Sequence, residues 1–457
     1  MKKNICTLLS TLFVLGATAQ NPWLHIYQNS NKYNAYKSDN IKEIYFTGDG
    51  DSFSKMNIVT NNEGTKTFDM SNIKKWQHAP NVPNINITTD TYISEIQSKT
   101  EYLTGTFEMD GNGIYNDVST TVNIRGRGNS TWKYSKKPYR LKFDKKISLC
   151  NLKKAKSYVL LANYIDPTLM RNALAMKIAQ LLEIPYANHM VPVNVTLNGQ
   201  YKGSYMLTEK VGINAGSVDI DETNSILWEL DKNYDEEWKF RSPIYRLPVM
   251  IKDPDMPENT TEASSLFSKW QADFIEFEKG VKDGRLSEVA DMESVVNCFI
   301  LFAITGNQEF CHPKSFYMYK TIDPASETPS KYIFGPVWDF DWCYGYNGRN
   351  HSSLLSPEQA LNIHDTSMPG CNFAWDIMHN SEFKTLFDKK WNEFIAGKLQ
   401  EFWEYFDYYA NLIEPTTAQN SVKWSQTANR DQHIERLRLW IKARIEYIGT
   451  APNHGLY

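Results

Sequence analysis

The sequence predicts an α+β protein: a β-rich half, then a helical half, a cleft between them, and a small β module in front. Three observations predict it. Strand signals dominate from about residue 85 to 210. There Val193-Asn194-Val195-Thr196-Leu197 alternates, Asn198-Gly199 supplies a tight turn, and Gly203-Ser204-Tyr205-Met206-Leu207 answers it. Asn-Gly readily takes the positive φ that such turns demand. Helical periodicity dominates after about residue 260, over 263–280, 286–304, 381–412 and 431–448. Near the start lies a tandem repeat of period 32, in which Ile26 aligns with Ile58, Tyr36 with Phe68, and Asn40-Ile41-Lys42 with Asn72-Ile73-Lys74.

The chain of 457 residues is too long for one core, since single cores stop growing near ~250–300 residues. Hydrophobic residues at 41% and charged residues at 22% fit a folded protein. Forty-nine basic against fifty-three acidic side chains leave a formal charge of -4 and no broad basic surface for nucleic acid. Aromatics at 13% suit either a buried aromatic core or a carbohydrate-facing surface.

Residues 1–19 read as an export leader. Lys2 and Lys3 form a positive start, Leu8 to Leu15 an apolar stretch, and Ala17-Thr18-Ala19 a small-residue cleavage site. The apolar stretch falls far short of the ~20 residues that span a bilayer, and no later segment is apolar enough. The mature chain is therefore expected to be exported: periplasmic, cell-surface associated or secreted. Residues 20–80 form the β module, each repeat copy being two short strands, an Asn/Gly-rich turn and one closing turn. Ala79-Pro80-Asn81-Val82-Pro83-Asn84 reads as a linker. The body then runs from 85 to 457, its first lobe over about 85–210 and its second over about 211–457. Before the hairpin, Asp166-Pro167 offers a cap and first-turn proline for a helix carrying Leu169, Ala173, Met176, Ile178 and Leu181. In the last helix Ile434, Leu437, Trp440, Ile441, Ile445 and Ile448 form one stripe, read as core packing. Five cysteines follow the leader, an odd number with no C-x-x-C, so a zinc site is not expected.

Three constellations carry chemistry. In Arg125-Gly126-Arg127-Gly128-Asn129-Ser130 two glycines one residue apart let successive N–H groups point at one anion, and phosphate is the natural ligand. Arg140 and Lys142 share a face of the basic strand that follows. In Trp338-Asp339-Phe340-Asp341-Trp342, an extended strand would put both aspartates on one face and three aromatics on the other. Two such carboxylates repel unless a cation sits between them, and Mg²⁺ or another divalent cation shared with phosphate oxygens meets that need. In the polar loop from Gly306 to Ser315, Glu309 could orient or deprotonate a hydroxyl and Lys314 neutralise a transferring phosphoryl group; Cys311 reads as a surface residue. A retaining glycosidase is the weaker reading, because Asp339 and Asp341 share one segment whereas its two carboxyls must face each other across a sugar.

The order of short strings is similar to that of the spore-coat CotH kinase family. It runs through Arg125 to Trp132, Lys137-Pro138-Tyr139-Arg140-Leu141-Lys142, Leu160-Leu161-Ala162-Asn163, Met170-Arg171-Asn172, Leu197 to Gly203, Leu207-Thr208-Glu209 and Trp338-Asp339-Phe340-Asp341. The resemblance implies an atypical protein-kinase-like two-lobe fold that uses ATP and a divalent metal to phosphorylate protein Ser or Thr hydroxyls. It implies that the glycine string covers the phosphates, that Lys142 or Arg140 takes the strand-lysine role, and that Met170 to Leu182 is the lobe-bridging helix. Glu209 would reach the hinge beside the adenine, and Asp339 with Asp341 would hold the metal. The family has an aspartate in its catalytic loop and an asparagine a few residues on; Glu309 and Ser315 stand nearest those positions here. A carboxylate one methylene longer lies displaced from the productive place, so the alternative expectation is a catalytically impaired kinase-like scaffold that binds the cell envelope or a glycan.

Overall fold

A computed structural model of the protein describes residues 6–7, 23–29, 32–48, 52–323, 325–326, 329–346, 354, 356–361, 363 and 365–457. The leader expected over 1–19 lies outside the described residues apart from the backbone of Cys6–Thr7. The architecture is α+β.

The N-terminal repeat folds as two small sheets. Each copy is a hairpin, a 3-10 turn and a third strand: Trp23–Gln28, Tyr33–Lys37, Ser38–Asn40 and Ile41–Thr47, then Lys55–Thr60, Gly64–Asp69, Met70–Asn72 and Ile73–Ala79. The third strand was not visible in the repeat pattern, and it crosses over. Ile41–Thr47 pairs with the second copy, Ile44 opposite Ile58, and Ile73–Ala79 pairs with the first, Trp76 opposite Ile26. Equivalent residues of the two copies, Leu24 with Met56, Ile26 with Ile58 and Tyr36 with Phe68, meet in one small core. Ion pairs Lys37–Asp110 (2.6 Å) and Lys75–Glu414 (3.0 Å) tie this module to the body.

Seven strands then close a barrel in the order Val118–Gly126, Tyr139–Ile147, Ala155–Leu161, Gln200–Glu209, Val191–Leu197, Asn84–Thr89 and Leu103–Asp110. Closure leaves no free sheet edge. Alternate residues fill the interior, among them Phe107, Ile124, Leu141, Phe143, Tyr158, Leu160, Val193 and Leu207. The expected Asn198-Gly199 hairpin forms, with φ of 48° and 74° at its two turn residues. On the outer face, Arg125 stands directly opposite Arg140, and Arg140 opposite Val159.

The helical half also contains a sheet. Lys239–Arg241, Pro248–Asp253, Ser225–Leu230, Phe316–Thr321 and Ile333–Phe334 pair in that order, all antiparallel. Every residue of Ser225–Leu230 is buried, because both faces are covered and no polar alternation survives. Helix Met292–Thr305 runs through the centre, buried from Ser294 onward, and ends on Gly306 in the left-handed region. The C-terminal helix Arg430–Thr450 packs on it, burying Ile434, Leu437, Ile441 and Ile448. The pattern over 286–304 splits at Asp291, whose carboxylate caps the N–H of Ser294 (2.8 Å) and starts a new helix. The pattern over 381–412 splits at Lys398 into Ser381–Gly397 and Leu399–Leu412. Helices Pro369–Met378 and Glu414–Lys423 carry no long stripe and escape the periodicity reading. Among the described residues no helix is long and apolar enough to cross a membrane, and Cys150, Cys298, Cys311, Cys343 and Cys371 are all buried without a disulfide.

Candidate functional site

A crevice opens between the barrel and the five-stranded sheet. The loop Arg127 to Thr131 and Tyr134 form one side of it, and Asp231, Lys314, Ser315, Trp338, Asp339 and Asp341 the other. The Arg127 guanidinium lies 5.5 Å from the Trp338 ring centre, so the two sides touch at one end.

The glycine loop is shaped by close approach. A Cβ on Gly126 would lie 2.2 Å from the Trp132 ring, and one on Gly128, at φ 86°, would lie 2.2 Å from Thr131 Oγ1. Arg127 N–H donates to Pro138 O (3.2 Å), and Lys99 Nζ donates to Gly128 O (3.1 Å). Below the loop, Lys136 is buried, and among the described residues no carboxylate pairs with it. Its ammonium donates to Ser204 O and to Asn420 Oδ1 (3.1 Å) and faces the Tyr205 ring at 4.7 Å. Burial pushes its pKa down to about 7.

The acidic segment does not form the expected strand. Residues 335–340 have no regular structure, and Asp339 takes φ 66°. The left-handed residue replaces strand alternation: Asp339, Asp341 and Trp338 all line the crevice, while Phe340 turns into the core. Asp341 is anchored from the helix Arg171–Leu181. The Asn172 amide donates to Asp341 Oδ1, and its oxygen accepts the Phe340 N–H (2.9 Å). That helix starts later than Asp166-Pro167 suggests. The Asp166 carboxylate accepts N–H groups of Thr168 (2.9 Å), Met170 (2.8 Å) and Arg171 (2.9 Å), capping a loop first. Burial, then the carboxylates of Asp339 and Asp166, push the Asp341 pKa above the usual carboxylate range, against the pull of Asn172 and Arg127. Crowded acidic oxygens of this kind suit a hard divalent cation. Among the described residues no cluster of three or more His, Cys, Asp or Glu forms a complete metal cage, so phosphate and water would have to supply the other ligands.

Lys314 stands 3.5 Å from Glu309. Burial opposes its charge, but Glu309, Asp339 and Asp231 hold its pKa above the usual lysine value. Glu309 itself lines a small apolar recess with Cys298, Phe302 and Phe316, on the core side of Lys314.

Of the residues singled out in the sequence, Arg127, Gly128, Asn129, Ser130, Lys314, Asp339 and Asp341 come together here. The others lie elsewhere. Gly126 backs onto Trp132. Arg125 donates to Lys99 O and lies 5.0 Å from the Tyr102 ring, where the exposed Lys142 also sits at 5.9 Å. Arg140 faces Arg125 across the ladder. Glu209 binds His189 through its backbone N–H (2.9 Å) and Nδ1 (2.6 Å). Cys311 is buried rather than at the surface. Sequence reasoning missed Asp231 and Lys136. Asp231 follows the buried strand Ser225–Leu230, and a carboxylate closing a buried strand is the one signal that marks it.

No curated protein matches the chain. Compared with known families, residues 124–448 match the family described as CotH kinase protein. That span holds the crevice and more than two-thirds of the sequence, and the chain belongs to the CotH kinase family.

Proposed function

We propose that the protein is an exported, protein-kinase-like phosphotransferase that uses ATP and a divalent cation to phosphorylate Ser or Thr hydroxyls of a protein. The barrel is the first lobe in this reading, and the helical half with its sheet is the second. One observation carries it: the glycine loop Arg127–Ser130 and the carboxylates of Asp339 and Asp341 share one polar crevice with Lys314 between the same walls. Family membership supports kinase-like chemistry.

The residues have distinct tasks. Backbone N–H groups of the loop and the Arg127 guanidinium hold phosphate oxygens. Asp339 and Asp341 hold the cation, and Asn172 fixes Asp341. A bound cation would supply neutralisation of charge on the phosphate oxygens. The Lys314 ammonium, kept charged by its acidic neighbours, stabilises charge on the transferring group. Glu309 orients Lys314.

The test is transfer of the terminal phosphate from labelled ATP by wild type and Asp339→Asn. Loss on the order of 10²-fold or more is expected when one such electrostatic group is removed; equal incorporation by both chains rejects the reading. A second reading, a catalytically impaired scaffold that binds an envelope component or glycan, draws on the position of Glu309, which lies against Lys314 beside an apolar recess. Stabilisation by oligosaccharide and not by ATP with Mg²⁺ in a thermal-shift titration favours it.

A further inference from the structure

We infer that Asp231 is the general base of this transfer, an assignment that rests on the phosphotransfer reading. Asp231 follows the strand Ser225–Leu230, whose last residue pairs with Phe316. The polar loop before Phe316 is stitched to the residues around Asp231 on both sides. Lys232 N–H donates to Pro313 O (2.8 Å), and Ser315 N–H donates to Asp231 Oδ2 (3.1 Å). Asn233 N–H holds the other oxygen, Oδ1, at 2.7 Å. Ser315 reaches its place only by adopting φ 52°, a conformation that a non-glycine residue keeps when its surroundings impose it.

The carboxylate is therefore fixed in direction and still able to act. A carboxylate offers about four acceptor sites, and two backbone donors leave room on both oxygens. Asp231 lines the crevice beside Lys314 and Ser315. Three of its acidic neighbours are occupied, whereas Asp235 on the same wall is exposed. Glu229 accepts from Tyr317 Oη (2.7 Å) and from Lys252 Nζ (2.7 Å). Glu236 shares Lys252 at 2.9 Å, and Glu309 lies against Lys314 on the core side. Burial pushes the Asp231 pKa up to about 6; Glu229 adds to that, while the Asn233 and Ser315 N–H groups and Lys314 pull against it. A base is most effective when its pKa lies near the working pH.

The step balances as follows. One Asp231 oxygen takes the proton of the acceptor hydroxyl as that hydroxyl oxygen bonds to the terminal phosphorus of ATP. The bond from that phosphorus to the bridging oxygen breaks, and its electron pair leaves with ADP. The proton passes from Asp231 to solvent once the products depart.

The experiment compares wild type, Asp231→Asn and Asp231→Glu as full chains, with ATP and Mg²⁺. It reads transfer to dephosphorylated casein and to the chain itself, and stabilisation by ATP with Mg²⁺ in a thermal shift. Expected is a fall in kcat of about 10²–10³-fold in Asp231→Asn, with KM for ATP and the thermal shift unchanged, and partial recovery in Asp231→Glu. Wild-type rates in Asp231→Asn overturn the assignment and leave the phosphotransfer reading standing. Loss of the ATP thermal shift in Asp231→Asn also overturns it, making Asp231 a ligand of the nucleotide or cation. No transfer by wild type overturns both.

Discussion

In the glycine loop on the barrel side of the crevice the sharp turn falls on glycine, with Gly128 at φ 86°, while Asn163, which also lines the crevice, holds φ 47°. On the opposite side Ser315 and Asp339 hold φ of 52° and 66° with side chains attached. Glycine takes such angles at no steric cost, whereas other residues give up roughly 1–2 kcal/mol each. The glycine loop needs open backbone N–H groups and no side chain at the turn. The other side needs the carboxylate of Asp339 and the N–H of Ser315 aimed at particular places, and it keeps a strained backbone to have them. The flanking structure sustains that strain: Phe340 next to Asp339 is buried and its N–H is held by the Asn172 amide, and Ser315 N–H is held by Asp231 beside the Lys232–Pro313 bond.

Four substitutions break or sharpen this contrast. Asp339→Gly has the largest effect: it relieves the backbone and removes the carboxylate together. Phosphate transfer should fall on the order of 10²-fold or more, while the denaturant midpoint holds or rises. A fall in both would mean that Asp339 supports the fold and is not strained for function. Next comes Gly126→Ala, which drives a methyl group into the Trp132 ring. It should cost about 1–3 kcal/mol in urea unfolding and weaken the ATP-dependent thermal shift.

Lys136→Met tests the buried cation beneath the loop. The folded pKa of Lys136, about 7, lies below that of an unfolded lysine, so between these values the unfolded chain binds the extra proton and stability rises with pH. The advantage of wild type over Lys136→Met should therefore grow by on the order of 1–2 kcal/mol between pH 7 and about pH 9. An unchanged difference across that range removes the buried-cation account. Ser315→Gly is the mildest. It keeps the N–H to Asp231 and should add about 0.5–1 kcal/mol of stability, with transfer within a few-fold of wild type. Destabilisation would show that the Ser315 side chain, and not its backbone, holds the loop.

Legibility in the sequence follows the same divide. The glycine loop and the Asn198-Gly199 turn are visible because glycine and asparagine announce their backbone angles. The left-handed Asp339 gives no such sign, so Trp338 to Trp342 reads as a strand and the true route by which both carboxylates reach the crevice is hidden. Arg140 and Lys142 do share a strand face, but periodicity cannot say that this face looks past Tyr102 and not into the crevice. In the sheet inside the helical half, Ser225–Leu230 was missed because it is buried on both faces and shows no alternation. Asp231 went with it, since an aspartate after such a strand gains meaning only when Ser315 is brought beside it from 84 residues away. Helices with wide apolar stripes were legible in extent, and their breaks at Asp291 and Lys398 were not.

The crossed strands of the N-terminal module leave neither half of it complete alone. Because each copy completes the other's sheet, a single 32-residue unit is left with an unfilled partner position, and a second molecule of the same unit can fill it with two-fold symmetry. Joining the two units in tandem replaces an encounter that depends on concentration with one that happens within the chain. A peptide of one unit should therefore dimerise or stay unfolded.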